Sequence, residues 1–533
     1  IESRILVTPV KMPRKHEVPA LQELALCSIG EYVTDFGKSL VPPICSESRT
    51  DPRGGSKRLH NLLKSMKHRL SSSIPRHLYN RMALKSLTAI KLLINDRRNT
   101  YNDFQPINVF LTEVSVLVNL IEVLLHHNLR SMEFAEWPKI MRHVLYNNLE
   151  NMSGLEVLDL GSGSAGWRTS EIEKLIINGV SHMPNLLSFT LCSDCTDNII
   201  FVVGETCKKL RALDVIASRS VTDRSIPSIL NCQFLKEVKL FRTSVSIGGF
   251  SELLMRLPWL ENMGRCDDVG EVFEAISLKE INQDKSLALK VLETRNVTID
   301  DLFLFVDVCP FVTSVSIMCD ERTDLRILSA LEHLQELKLL SCDFYGDKVN
   351  DLLEMTNSRI RSLHLEHVEE IDRSALVYIS QYCPGIKSLT FYNCDFSEGL
   401  STQFRALKVE PFRQLQRLKC VADCASCHLE FLLSNCLAIK FIQLGSSTGV
   451  GDLTMQKVFA VNKMRELEEL KILYGGDLSM RTVRLIMENC EGLRRLSELE
   501  GWHGVTQHEL EAFREELRVN NVDLDTSPTL SLA

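Results

Sequence analysis

Short segments of the form apolar-x-x-apolar-x-apolar recur along most of the chain. They begin at Leu155, Leu186, Leu210, Leu235, Leu260, Leu287, Val312, Leu334, Ile360, Ile386, Leu415, Ile439, Leu467 and Leu493, at separations of 22 to 31 residues. The last two apolar positions of each segment alternate at the strand period, so two side chains point to one buried face. Leu260 opens a degenerate member, the pattern weakens over 260–300, and one unit is stretched near 400–430. Between these segments the apolar spacing turns helical: Thr196-Asp197 leads into Ile199, Ile200 and Val203, Thr222-Asp223 into Ile226 and Ile229, and Asp372 into Leu376 and Ile379. A Ser, Thr or Asp near each start can accept hydrogen bonds from the free N–H groups of a first helical turn.

Six segments carry a cysteine three residues ahead of their first apolar position: Cys207, Cys232, Cys309, Cys383, Cys436 and Cys490. One unit of about 26 residues has therefore been copied along the chain, and such a period decides the architecture before any local motif. A single strand–turn–helix unit cannot bury both its faces, whereas a stack of them can. The expected fold is an α/β solenoid over 151–506, a horseshoe with a concave parallel sheet and convex helices. The motif Cys207-x-x-Leu210-x-x-Leu213-x-Val215 resembles the leucine-rich-repeat family in its cysteine-containing subtype, over roughly residues 150–510. Residues 507–533 read as a cap helix, Gln507 to Arg518, and a frayed tail, because terminal units need a polar outer face.

The N-terminal region, 19–150, reads as all helical after a polar stretch, 1–18, expected to be disordered. Leu21, Leu24, Ala25, Cys27 (or Ser28) and Ile29 form one helical stripe, which Val41-Pro42-Pro43 is expected to end, leaving 45–58 as a loop. Further helices are expected over 59–70, 78–94, 107–130 and 138–150, with Pro75 at the first turn of the second. Ala20-Leu21-x-x-x-Ala25-x-x-x-Ile29 resembles the elongin-binding helix of the von Hippel–Lindau-type box, with Ala25 where that pattern has Cys. Ile74-Pro75-x-x-Leu78-x-x-x-Met82 is similar to the accompanying cullin box, and equally to the opening of an F-box. These resemblances imply a substrate-recognition subunit of a cullin-type ubiquitin ligase. Its adaptor, elongin B/C or an F-box adaptor plus cullin, would contact Leu21, Ala25, Ile29, Ile74, Pro75, Leu78 and Met82. An ordinary helical cap on the solenoid is the alternative.

The chain has 533 residues, with 61 Lys and Arg against 69 Asp and Glu, and a net charge of −8. That balance gives no general attraction to nucleic acid. Residues 52–95 hold ten Lys or Arg and no acid, but Tyr79 is the one aromatic among them, so a solvated basic face is expected there rather than a base-stacking surface. No apolar run approaches the ~18 residues of a membrane span. The seventeen cysteines are odd in number, and six follow the repeat. Reduced thiols in the cytoplasm, the nucleus or both are expected.

Two local patterns suggest chemistry. Gly161-Ser-Gly163-Ser-Ala-Gly166 after a strand resembles the first motif of methyltransferases and fits a dinucleotide turn. The next strand ends in Leu-Cys-Ser rather than the acid that binds a ribose, so an enzyme that binds a nucleotide or S-adenosylmethionine is the remote alternative. Cys424-Ala-Ser-Cys427-His428 has haem-attachment spacing but lacks a second ligand pair for zinc, and Cys192-x-x-Cys195 reads as a strand end and turn. No cofactor or metal is expected, and no catalytic set can be assembled from the scattered histidines. A non-catalytic protein-binding subunit follows, or a non-ligase scaffold with the same stack. The client protein would lie on the concave face, against residues such as Arg211, Lys236, Lys239, Lys338, His364 and Gln443; neither membrane nor nucleic acid is an expected partner.

Overall fold

In each repeat a helix ends, turns and enters a strand, and the cysteine occupies that corner. Cys207 closes the preceding helix through its N–H, 2.8 Å from the carbonyl of Val203, and opens the turn by accepting from Leu210 N–H at 3.0 Å. Its buried thiol donates to the carbonyl of Met183 at 3.5 Å, and the thiol of Cys232 donates in turn to the carbonyl of Cys207 at 3.5 Å. Cys383 and Cys490 repeat the backbone arrangement. Met152, Met183, Leu257, Leu331, Phe412 and Met464 fill the same corner where no cysteine stands, each buried and each accepting from the residue three places on. A buried apolar side chain is what these corners share, and cysteine is the smallest of those used.

The computed structural model describes residues 15, 17, 19–99, 107–134, 137–162, 169–279, 286–318, 323–356, 358–397 and 412–529. The chain divides into two units, one of residues 19–265 and one of 266–533 with residues 1–18. Apart from Lys15 and Glu17, the stretch 1–18, for which disorder was expected, lies outside the described residues.

The unit 19–265 opens with helices α1 (Leu21–Thr50), α2 (Pro52–Ser73), α3 (Arg76–Asn99), α4 (Ile107–Leu124) and α5 (Lys139–Asn147). The helix expected to stop at Pro42-Pro43 instead runs through them, and the expected loop 45–58 is helical. Leu40, Ile44 and Cys45 keep the apolar stripe of α1 buried across the two prolines, which offsets the lost N–H donors. The break falls at Asp51, whose side chain accepts from Arg53 N–H at 3.2 Å ahead of Pro52. Six parallel strands follow among the described residues: β1 (Ser131–Glu133), β2 (Val157–Ser162), β3 (Ser188–Cys192), β4 (Ala212–Asp214), β5 (Glu237–Lys239) and β6 (Asn262–Arg265). The sheet thus starts one strand before the Leu155 segment, and the degenerate Leu260 segment is a strand.

The other unit carries β7 (Val291–Thr294), β8 (Ser314–Met318), β9 (Glu336–Asp343), β10 (Ser362–Glu369), β11 (Ser388–Asp395), β12 (Arg417–Asp423), β13 (Phe441–Leu444), β14 (Glu469–Ile472), β15 (Gly475–Ser479), β16 (Arg495–Ser497) and β17 (Trp502–Gly504). All but β15 and β17, which pair with each other, are consecutive parallel neighbours. β7 corrects the Leu287 frame by two residues: its buried positions are Leu289, Leu292 and Thr294. The final helix, Gln507–Val519, is closed by a reciprocal Thr506–Glu509 cap and buries Leu510, Phe513 and Leu517. The tail expected to fray is ordered as far as Pro528 and Thr529. Asp525 exchanges backbone hydrogen bonds with Arg494 and Leu496, covering the free edge of β16.

Successive helix starts are tied together. Asp197 accepts from Thr222 N–H at 2.8 Å, Thr222 Oγ1 at 2.7 Å and Ser225 Oγ at 2.5 Å in the next repeat. Asp452 does the same for Ser479 N–H at 3.0 Å and Thr482 Oγ1 at 2.7 Å. Each unit is an α/β leucine-rich-repeat stack, with a buried strand face against the helices of its repeats. None of the described helices is long and apolar enough to cross a membrane.

Candidate interaction surfaces

Helix α1 carries two apolar faces, and the core needs one. Leu26, Gly30, Val33, Gly37, Leu40 and Ile44 point inward. Gly37 packs so closely on α4 that a Cβ there would stand 2.3 Å from Leu120 Cδ1. On the other side Leu21 is 82% exposed, Leu24 42% and Tyr32 53%, while Ala25 is exposed and Ile29 half-buried. Glu23 accepts from Arg81 and Lys85 of α3, each at 2.7 Å, which fixes the first turn of α1 beside that helix. The hydrogen bond from Lys85, ahead of the other charges, holds the Glu23 carboxyl below its ordinary range.

The second motif is divided by burial. Ile74 ends α2 with its N–H on Leu70 carbonyl at 3.2 Å, and the exposed Pro75 accepts from Leu78 N–H at 2.9 Å, starting α3. Ile74 and Leu78 are half-buried. Met82 is fully buried, with Ser86 Oγ 3.7 Å from its sulfur, and offers no surface to a partner. Its place in the proposed contact set is corrected accordingly: the i+4 position after Leu78 faces the helical core. Tyr32, one turn past Ile29, extends the exposed stripe and was not among the sequence candidates; its spacing from Ser28 and Ala25 was the available signal.

The solvent face of the strands is the second surface. In the unit 19–265, Arg211 and Lys236 stand one residue ahead of β4 and β5, at the sheet margin, and both are exposed. Lys236 pairs with Glu261 at 3.0 Å, and Lys239 with Asp214 at 3.7 Å and with Glu237. In the other unit Lys338, His364, Thr390, Lys419 and Gln443 form one row across β9 to β13. Lys338 reaches Glu366 at 2.7 Å, and His364 Nε2 lies 3.5 Å from the same carboxylate. Burial, with Lys338 close by, pushes the His364 imidazole down to about 4.

No family model matches the chain. Over 82 residues, 15% of its length, the chain is 29% identical to an F-box/LRR-repeat protein 12 of Arabidopsis thaliana, of which the match spans 21%. The chain is built as a leucine-rich-repeat protein. Its similarity to an F-box/LRR-repeat protein is confined to that short span. Among solved structures, the Rad7 and Elc1 complex in yeast matches 87% of this chain and 95% of that one at 11% identity and TM-score 0.40. A leucine-rich-repeat protein of Leptospira interrogans matches 76% and 92% at 13% identity and TM-score 0.33.

Leucine-rich-repeat geometry also accounts for the tempting local motifs. Asp159 and Asp214, in one row through Thr190, each accept from the N–H two residues on, Gly161 at 2.8 Å and Ile216 at 3.2 Å. The Gly161 turn is thus the ordinary strand end of a repeat; Gly163 and Gly166 lie outside the described residues. Cys424 is buried, whereas Cys427 is exposed on the first turn of the helix Ser426–Asn435, and His428 is buried against Phe396 with ring centroids 5.5 Å apart. Cys427 Sγ lies 3.8 Å from Nδ1 of His428. Among the described residues no group of His, Cys, Asp or Glu is placed to hold a metal.

Proposed function

We propose that this leucine-rich-repeat protein is the non-catalytic substrate-recognition subunit of a cullin-type ubiquitin ligase. Its α1–α3 region would dock an adaptor, and its sheet face would hold a client protein. The observation that carries the reading is the exposed apolar stripe of α1, where Leu21, Leu24, Ala25, Ile29 and Tyr32 face away from a core that α1 already satisfies with its other side. The short resemblance to an F-box/LRR-repeat protein supports it. The contribution to ubiquitin transfer would be proximity, since a client held on the stack raises the local concentration of its lysines at the ligase. The reading puts the protein in the cytoplasm, the nucleus or both.

Capture by purified elongin B/C and by the F-box adaptor tests it. One of the two is expected to bind the full chain, and Leu21→Asp with Ala25→Arg to abolish binding while the thermal midpoint holds. Recovery of neither adaptor by a folded sample rejects the ligase role. The burial of Met82 favours a second reading, a scaffold with the same stack and no ligase connection. It predicts an unchanged partner list for Pro75→Ala with Leu78→Asp.

A further inference from the structure

Ion pairs recur along the sheet face of the unit 266–533. Lys338 meets Glu366 at 2.7 Å, Lys440 meets Glu468 at 3.7 Å, Lys471 meets Glu498 at 3.5 Å and Arg495 meets Asp525 at 2.9 Å. Exposed Arg361, one residue ahead of β10, and Arg494, one ahead of β16, stand outside these pairs, and so does a group of cations between them. Lys387, just before β11, and Arg417 and Lys419 of β12 have no acidic partner among the described residues. Lys387 and Arg417 are exposed and Lys419 is half-buried. By register Lys387 stands level with Gln416, so Arg417 is one residue and Lys419 three residues further along the neighbouring strand, a spread of about 10 Å at the strand rise.

Lys387 and Arg417 line a depression, and Lys419 stands beyond its lining, two residues further along β12. An open depression of about 380 Å³ is lined by Lys387, Gln416, Arg417, Lys440 and Phe441, with Glu468 and Glu469 at its far side. Arg417 is held in place by the Phe441 ring, its guanidinium carbon 4.4 Å from the centroid. Gln443, beside Lys419 in register, adds a neutral donor. Lys387, Arg417 and Lys419, without ion pairs among the described residues, tilt this part of the face towards positive in a chain of net charge −8, with Glu468 and Glu469 marking its limit.

We propose that this patch is the specificity site for an acidic segment of a client protein, with Lys387, Arg417 and Lys419 receiving its Asp or Glu carboxylates. The proposal deepens the client-binding reading of the stack and depends on it. A protein segment fits better than nucleic acid on two counts. The Phe441 face is taken by Arg417 and gives bases no stacking platform. Glu468 and Glu469 would repel a continuous phosphate backbone, yet can meet basic residues flanking an acidic stretch.

The test uses the full chain and a fluorescein-labelled twelve-residue peptide of Asp, Glu, Ser and Gly, followed by anisotropy. Saturable binding is expected, weakening as salt rises from about 0.05 to about 0.3 M because the screening length shrinks. Lys387→Glu with Lys419→Glu should weaken it by roughly tenfold or more. Lys387→Gln with Lys419→Gln should give a smaller loss and guards against misfolding of the reversed pair. Lys457→Glu with Arg481→Glu, on helices of the same unit and away from the sheet face, should change it less than about twofold. Carbodiimide coupling should join peptide carboxylates to Lys387 or Lys419. No binding, binding indifferent to both Lys387/Lys419 variants, or tighter binding of single-stranded RNA overturns the proposal. Adaptor capture without peptide binding would sink this site alone, and peptide binding without adaptor capture would sink the ligase role alone.

Discussion

Burial keeps the repeat cysteines as thiols and decides which sulfurs can react. It pushes Cys207, Cys383 and Cys490 up to about 12 and Cys232 to about 11. Cys27 and Cys427 are the exposed cysteines of the described residues. Iodoacetamide at neutral pH should therefore label Cys27 and Cys427 first, with the corner cysteines reacting only as the stack opens. Mass spectrometry showing Cys207 or Cys383 labelled at a comparable rate would contradict the corner placement. His364 gives a pH dependence of definite sign. Its imidazole falls to about 4 in the fold, from an ordinary 6.5, because burial and then Lys338 disfavour the charged ring. Unfolded chains take up this proton first, so its contribution is complete above about pH 6.5 and is lost as pH falls towards about 4. Lys419 and Arg295 act in the same direction as Lys338, and Glu366 opposes them. The thermal midpoint of His364→Gln should gain on that of the parent as pH drops through this window; a constant gap would refute the shift.

At the level of elements, the ties between helix starts should contribute measurably to stability. Asp452→Ala removes the acceptor for Ser479 N–H, Ser479 Oγ and Thr482 Oγ1, and should cost about 2 kcal/mol in urea unfolding, with Asp452→Asn costing less. Burial alone would raise the Asp452 carboxyl, but the hydrogen bonds from Ser479 and Thr482 outweigh it and bring it below its ordinary range. The contribution should thus hold above about pH 4 and fade as pH falls through that lowered value. Equal midpoints for parent and Asp452→Ala would remove the tie from the account. Much of this layer was readable in advance, because cysteine corner, strand and helix start recur at one period. What escaped had non-local causes. The strand of Ser131–Glu133 has the frame Leu129-x-x-Met132-x-Phe134, but its corner is His126, which accepts from Leu129 N–H at 3.0 Å, so no thiol marked it. Asp51-Pro52 is a sound helix start, yet Gly54-Gly55 and the prolines of α1 disguised it. The ordering of the tail depends on an open strand edge that residues 522–529 do not themselves reveal. On the candidate surfaces, sequence located the exposed stripe of α1, but it could not show that Met82 faces inward or that Lys387, Arg417 and Lys419 lack ionic partners among the described residues.

On the scale of the whole molecule, a stack should lose stability locally, because each repeat packs chiefly on its sequence neighbours. Within the unit 266–533, Leu389 of β11 is fully buried and its strand pairs with β10 and β12. Leu389→Ala should cost roughly 2–5 kcal/mol through lost burial and the cavity left behind. In a single cooperative core that loss would lower protection of every slow amide equally. In a one-dimensional stack it should be greatest over 362–395 and 417–423 and smaller at 469–472 and 495–497, which the changed repeat does not touch. Native-state hydrogen exchange resolves the two. A uniform fall across 336–497 would mean that the unit behaves as one core, in which case a client held on β11–β13 could not tune that region without loosening the rest. A graded fall would mean that binding there can stiffen a few repeats and leave the others as they were.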